Sequence, residues 1–212
     1  MEIKAFTFNP FQENTFVLFD ETGGECAIVD PGCNSDRENS IIADYIDSRE
    51  LKPKYILLTH AHIDHILGLS FMIEKYGLIP FVHPEDDFLI DSATAVAQMY
   101  GLNYRPPVNS ETQALEDNMI LKLGNCEIKV LHCPGHSPGG VCFYCEKDGF
   151  VISGDVLFHS SIGRTDLPGG QYDQLIESIQ KKLMVLADET VVYPGHMEFT
   201  TIGYERYNNP FL

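Results

Sequence analysis

Between Leu57 and Gly68 the chain reads LLTHAHIDHILG, with His60, His62, Asp64 and His65 crowded together and aliphatic side chains on either side. On extended backbone, residues two apart point the same way, so His60 and His62 can offer both imidazoles to one point beyond a strand end. That is how nitrogen ligands are presented to a metal ion. Asp64 and His65 follow where the chain turns toward a helix, which could carry them to a neighbouring point. A solvated strand end would account for one isolated histidine. It accounts poorly for the run H-x-H-x-D-H.

Three more coordinating residues follow strand-like runs: His136 in CPGHSPGG, Asp155 in VISGDVLF and His196 in VVYPGHME. Each is preceded by glycine, which permits the close backbone approach a ligand loop needs. Five imidazoles and two carboxylates suffice for two metal ions sharing one bridging carboxylate. Nitrogen and oxygen donors without thiolates suit zinc, iron or manganese. Arg164 and Asp166, in GRTDLPGG, sit about ten residues beyond Asp155. In a chain with only 14 Lys and Arg, Arg164 is a candidate for gripping a substrate carboxylate. An Arg164 to Asp166 ion pair shaping the loop is the competing reading. His159 is close enough in sequence to Asp155 to support it.

The elements that must position these residues are short. Strands are expected at IKAFTF, NTFVLF and ECAIVD, the last ending in the turn residues Asp30, Pro31 and Gly32, and small loops between them imply antiparallel pairing. Apolar spacing predicts a helix over 39–49, a strand over 54–58, a helix over 65–76 closed by Gly77, and a strand over 79–82. The stretch 84–108 combines a helix over 92–100 with the breaker Pro106-Pro107 and reads as a lid or substrate-facing insertion. Strands follow over 119–123, 127–131, 140–145 and 150–152, then a helix over 172–186 and a strand over 190–193. Strands capped by helices in both halves predict an α/β fold in which two sheets pack face to face with helices outside.

At 212 residues with 44% hydrophobic content, one domain over 1–212 can bury a core without staples. The six cysteines are expected reduced; Cys142 and Cys145 lie three apart on a strand and so face opposite ways. A net charge of -17 argues against nucleic acid and anionic membrane surfaces as partners. The start of the chain has no basic segment followed by an apolar run, and no stretch is long enough to span a bilayer, so a soluble cytoplasmic monomer or homodimer is expected.

THAHIDH, PGHSPGG, SGD and PGH together resemble the metallo-β-lactamase superfamily, and within it the short glyoxalase II-like (hydroxyacylglutathione hydrolase-like) branch; SIGRTDLPGG and the NPFL ending extend the resemblance over essentially the whole chain. The resemblance implies a four-layer αββα sandwich of two mixed sheets with outer helices. It implies one divalent metal on His60, His62 and His136, a second on Asp64, His65 and His196, and Asp155 bridging, with zinc placed ahead of iron or manganese. Asp64 and Asp155 would be the catalytic carboxylates and Arg164 and Asp166 the substrate contacts. The implied activity is hydrolysis of a small-molecule thioester such as S-acylglutathione, by attack of a dimetal-bound hydroxide on the acyl carbon. The alternative is the persulfide dioxygenases, which share the motif but use one iron. Glyoxalase II proper also carries a C-terminal helical domain that holds glutathione, whereas this chain stops at Leu212.

Overall fold

Apolar residues in the first third alternate, and they fold as a meander. β1 (Glu2–Phe8), β2 (Glu13–Phe19) and β3 (Glu25–Val29) pair antiparallel, as their short connections predict. The computed structural model describes residues 1–20, 24–108 and 111–212. Ser35 caps α1 (Asp36–Ser48) by accepting a hydrogen bond from the Glu38 amide, and α1 leads into β4 (Lys52–Leu57), parallel to β3.

The helix predicted to run unbroken over 65–76 is two pieces, α2 (Ile63–Ile66) and α3 (Leu69–Tyr76). Gly68 separates them. Its amide donates to the Pro31 carbonyl at 2.7 Å, and a Cβ there would stand 2.2 Å from the Cys33 sulfur. The chain is therefore pinned against the loop after β3, and α2 can aim Asp64 and His65 independently of α3.

β5 (Phe81–Val82) is followed by a single 3-10 turn, Pro84–Asp86, and by α4 (Asp87–Tyr100), which begins earlier than the predicted 92. α4 buries Leu89, Ala93 and Ala97, so this half of the expected insertion belongs to the outer helical layer. β6 (Gln113–Ala114) completes a six-stranded sheet ordered β1-β2-β3-β4-β5-β6.

The second sheet comprises β7 (Ile120–Leu123), β8 (Cys126–His132), β9 (Val141–Cys145) and β10 (Phe150–Gly154). A small hairpin, β11 (Leu157–Phe158) and β12 (Ser161–Ile162), precedes α5 (Tyr172–Ser178), whose last turn widens into a π-helix at Ile179–Leu183. β13 (Val191–Pro194), β14 (Thr200–Thr201) and α6 (Ile202–Asn208) finish the chain. The order is β14-β13-β10-β9-β8-β7, with β10 and β13 the parallel pair in an otherwise antiparallel sheet.

Side-chain alternation builds the layers. Phe16 and Leu18 of β2 meet Val130, Phe143 and Ile152 of the second sheet, while Val17 and Phe19 face α1 and α3. On the other side Leu131, Cys142 and Val151 pack under α5 and α6. Enclosing a side chain such as Phe143 between the sheets stabilises the fold by about 1.5–3 kcal/mol relative to leaving it exposed. The result is the expected αββα sandwich of two mixed sheets. All six cysteines are free and buried, and Cys142 and Cys145 do face different layers. Among the described residues no helix is long and apolar enough to cross a membrane.

Candidate metal centre

The carboxyl ends of β4, β8, β10 and β13 open at one edge of the sandwich, and the loops leaving them carry the seven predicted donors. The ligand atoms of His60, His62 and His136 lie within 4.8 Å of one another, as do those of Asp64, His65 and His196. Asp155 stands between the two groups: Oδ2 is 3.5 Å from His136 Nε2 and 3.6 Å from His196 Nε2, and Oδ1 is 3.5 Å from His65 Nε2. Asp64 Oδ2 is 3.1 Å from His196 Nε2. Gly195, just before His196, makes room for this: a Cβ there would lie 2.4 Å from Asp155 Oδ1 and 2.7 Å from the His65 ring.

Four of the five imidazoles are fixed through their outer nitrogen. His60 Nδ1 donates to Thr59 Oγ1 at 3.1 Å, because the Thr59 hydroxyl itself donates to Asp30 at 2.6 Å. His65 Nδ1 donates to the same Asp30 oxygen at 3.1 Å, His136 Nδ1 to the Arg164 carbonyl at 2.8 Å, and His196 Nδ1 to the Phe11 carbonyl at 3.1 Å. Each inner Nε2 is thereby left as a lone pair. His60 Nε2 and His136 Nε2 then face each other at 3.3 Å, and His62 Nδ1 is 2.8 Å from His136 Nε2. Among the described residues, buried His62 Nε2, His65 Nε2 and Asp155 Oδ1 have no hydrogen-bond partner. Lone pairs and carboxylates converging this way repel one another unless positive charge lies between them. Nitrogen and oxygen donors arranged in two such groups fit two divalent cations.

The titration behaviour follows. Burial, reinforced by neighbouring imidazoles, holds His60 well below the usual histidine range and His62 down to about 3, which favours the neutral ring that a metal ion would need. Burial opposes charge on His65 and His196 as well, but Asp64 and Asp155 outweigh it and raise both. Burial likewise works against ionised Asp64 and Asp155; His65 and its neighbours more than offset it, and both carboxyls stay below their ordinary values. The carboxylates that favour a proton on His65 and His196 would equally favour a cation in its place, so protonation and metal binding compete at these two rings.

Three supporting carboxylates were not singled out by sequence reasoning. Asp30, expected only as a turn residue, is fully buried and binds the Thr59 amide at 2.7 Å besides the Thr59 hydroxyl and His65. Its backbone sits at φ 49°, which these bonds hold in place. A carboxylate at the carboxyl end of a strand beside β4 was the available signal. Asp86 accepts from the Ala61 amide at 3.0 Å, the Ser137 hydroxyl at 2.9 Å and the Gly139 amide at 2.6 Å, tying the His60–His62 loop to the His136 loop. Burial raises its pKa, and those donors pull the other way. Asp86→Asn sets an NH2 group against this ring of donors and should weaken the site of His60, His62 and His136 more than its neighbour, measurable by stepwise chelator competition. Glu13, buried behind His65 at 3.9 Å from its Nδ1, is held by Thr15.

Arg164 and Asp166 form a bidentate surface ion pair at 2.6 and 2.7 Å, and Arg164 serves the centre through its backbone carbonyl. His159 pairs with Glu198 at 3.1 Å rather than with Asp155. Beside His196 opens a pocket of about 310 Å³ lined by Thr7, Phe11, Gln12, Asn14 and Met197. Phe11 meets Tyr100 of α4 edge-on at 5.4 Å.

A fold and site of this kind define a metallo-hydrolase, and comparison with known proteins agrees. The metallo-beta-lactamase superfamily model matches residues 8–196, and the chain belongs to that superfamily. The hydroxyacylglutathione hydrolase GloC of Haemophilus influenzae is 36% identical, the match covering 100% of this chain and 98% of that one. Among solved structures, TTHA1623 in a di-iron-bound form superposes with a TM-score of 0.87 at 38% identity, covering 99% of this chain and 100% of that one. The B3 metallo-beta-lactamase BLEG-1 gives a TM-score of 0.88 at 36% identity, covering 100% and 99%.

Proposed function

We propose that the protein hydrolyses thioesters such as S-acylglutathione, using two divalent cations held by His60, His62 and His136 and by Asp64, His65 and His196, with Asp155 shared. The observation that carries this reading is the position of Asp155, whose two oxygens face imidazoles of both groups. When bound, such a metal pair lowers the pKa of water toward neutrality and polarises a carbonyl oxygen. Zinc suits the donor set; the di-iron form of TTHA1623 makes iron the principal competitor.

The residues of the chain hold and orient. Asp30, Thr59 and the Arg164 and Phe11 carbonyls fix the ring planes, so little reorganisation accompanies reaction. The buried carboxylates around the centre are already engaged: Asp64 and Asp155 with imidazoles, Asp30 and Asp86 with loop donors, Glu13 with Thr15 behind His65. This favours a substrate whose leaving group needs no proton, as a thiolate does not. The whole-chain similarity to GloC supports the same class.

The test is a thioester panel assayed for free-thiol release on metal-loaded protein, alongside a cephalosporin and glutathione persulfide with an oxygen electrode. Thiol release with kcat/KM at least about 10⁴ M⁻¹s⁻¹ is expected for some acyl group. Oxygen uptake or β-lactam opening as the dominant activity would overturn the reading. Arg164→Ala should leave the metal content intact, because only the Arg164 carbonyl supports His136, and should raise KM if the guanidinium grips a substrate carboxylate. An unchanged KM would reduce the Arg164 side chain to its pairing with Asp166.

A further inference from the structure

A second group of ligand-type side chains lies at the far end of the second sheet. Cys126 opens β8, Cys145 closes β9, and Asp148 sits in the turn before β10. β8 runs from Cys126 to His132, so the cluster is about 20 Å of strand away from the loops of the histidine centre. Both thiols point at one carboxylate oxygen: Cys126 Sγ is 3.0 Å and Cys145 Sγ 3.5 Å from Asp148 Oδ2. The Met1 ammonium is 3.1 Å from the same oxygen. The two sulfurs and the oxygen lie within 4.8 Å of one another.

Two thiols and the Met1 ammonium thus direct their protons at one carboxylate oxygen, and a single cation replacing the two thiol protons would keep the same convergence. With metal–sulfur bonds of about 2.3 Å and metal–oxygen bonds of about 2.0–2.2 Å, the sulfur and oxygen corners of a tetrahedral zinc site stand about 3.5 Å apart. The observed separations of 3.0 and 3.5 Å need only slight opening. Asp148 is exposed, which leaves an entry path.

We propose that Cys126, Cys145 and Asp148 form a separate site for one thiophilic divalent cation, of which zinc is the fitting example, clipping the turn after β9 to the start of β8. Two S–H bonds break and two metal–sulfur bonds form, with both protons released to water and the carboxylate as third ligand. No redox partner is needed. Burial pushes the Cys126 thiol up and the Cys145 thiol to about 11, so binding strengthens as pH rises. The site stands independently of the proposed hydrolysis.

Cobalt(II) titration of the metal-free protein tests it. The histidine centre has no sulfur ligand, so a near-ultraviolet thiolate-to-cobalt charge-transfer band reports this cluster alone. The band is expected in the wild type and lost in Cys126→Ser and Cys145→Ser, while the visible absorption of cobalt in the histidine centre persists. Asp148→Asn keeps both thiols at an exposed position and should shift the band to higher cobalt concentration. No band at saturating cobalt, a band surviving in the double serine variant, or an unshifted Asp148→Asn titration would overturn the proposal.

Discussion

Asp155→Ala should empty the histidine centre, reducing bound metal from the proposed two ions per chain to fewer than one and cutting turnover by well over a hundredfold. The size follows from its place. Losing a residue that merely orients a ligand costs about 10–100-fold in metal affinity or activity. Asp155 instead faces His65, His136 and His196 directly, at 3.5, 3.5 and 3.6 Å. Without it, the two groups share no carboxylate, and Asp64 supplies negative charge to one of them alone. Elemental analysis and a thioester assay on the same preparation check this. A variant that kept two metals and near-normal turnover would remove the bridging role.

Asp30 touches no predicted substrate position, yet its replacement should rank next. Asp30→Ala leaves the Thr59 amide, the Thr59 hydroxyl and His65 Nδ1 buried without an acceptor. Each such orphan costs about 1–3 kcal/mol, so a substantial part of the folding stability is at stake. Asp30→Asn is the finer probe. Its oxygen can still accept from Thr59, but its NH2 now meets His65 Nδ1 and drives the ring toward the tautomer that carries hydrogen on Nε2, the atom meant for metal. Metal affinity should fall by about 10–100-fold, with the group of Asp64, His65 and His196 affected first. Urea melts of the metal-free variants and chelator competition of the loaded ones separate the two effects. Wild-type affinity in a folded Asp30→Asn protein would discard the orienting role.

The residues that cluster at the candidate centre were legible because coordination chemistry leaves a local mark: histidines two apart at a strand end, and a glycine before each of the three outlying positions. The main strands were legible because period-two alternation survives wherever one face is buried. What escaped was long-range. Asp86 lies in HPEDD, which reads as a charged helix start; its partners come from the distant loops at Ala61 and at 137–139. Glu205 lies in IGYERYN, which shows no core pattern, yet it is fully buried and holds Ser160, Thr200 and Asn209. The break between α2 and α3 depends on the approach of Cys33 and Pro31 to Gly68, a contact invisible in the spacing of apolar residues around it.

The two sheets contribute donors unequally to each cation position. For one, His60 and His62 come from the loop after β4 and His136 from the loop after β8; for the other, Asp64 and His65 come from α2 and His196 from the loop after β13. Each position is thus divided two to one across the seam of the sandwich, and neither half owns a complete set. With cations bound as proposed, the seam cannot part without surrendering both, so metal works as a rivet whose strength is set by concentration. At free metal 100-fold above Kd, one such site adds about 2.7 kcal/mol against unfolding. Metal supply then governs how long the folded chain lasts as well as how fast it turns over.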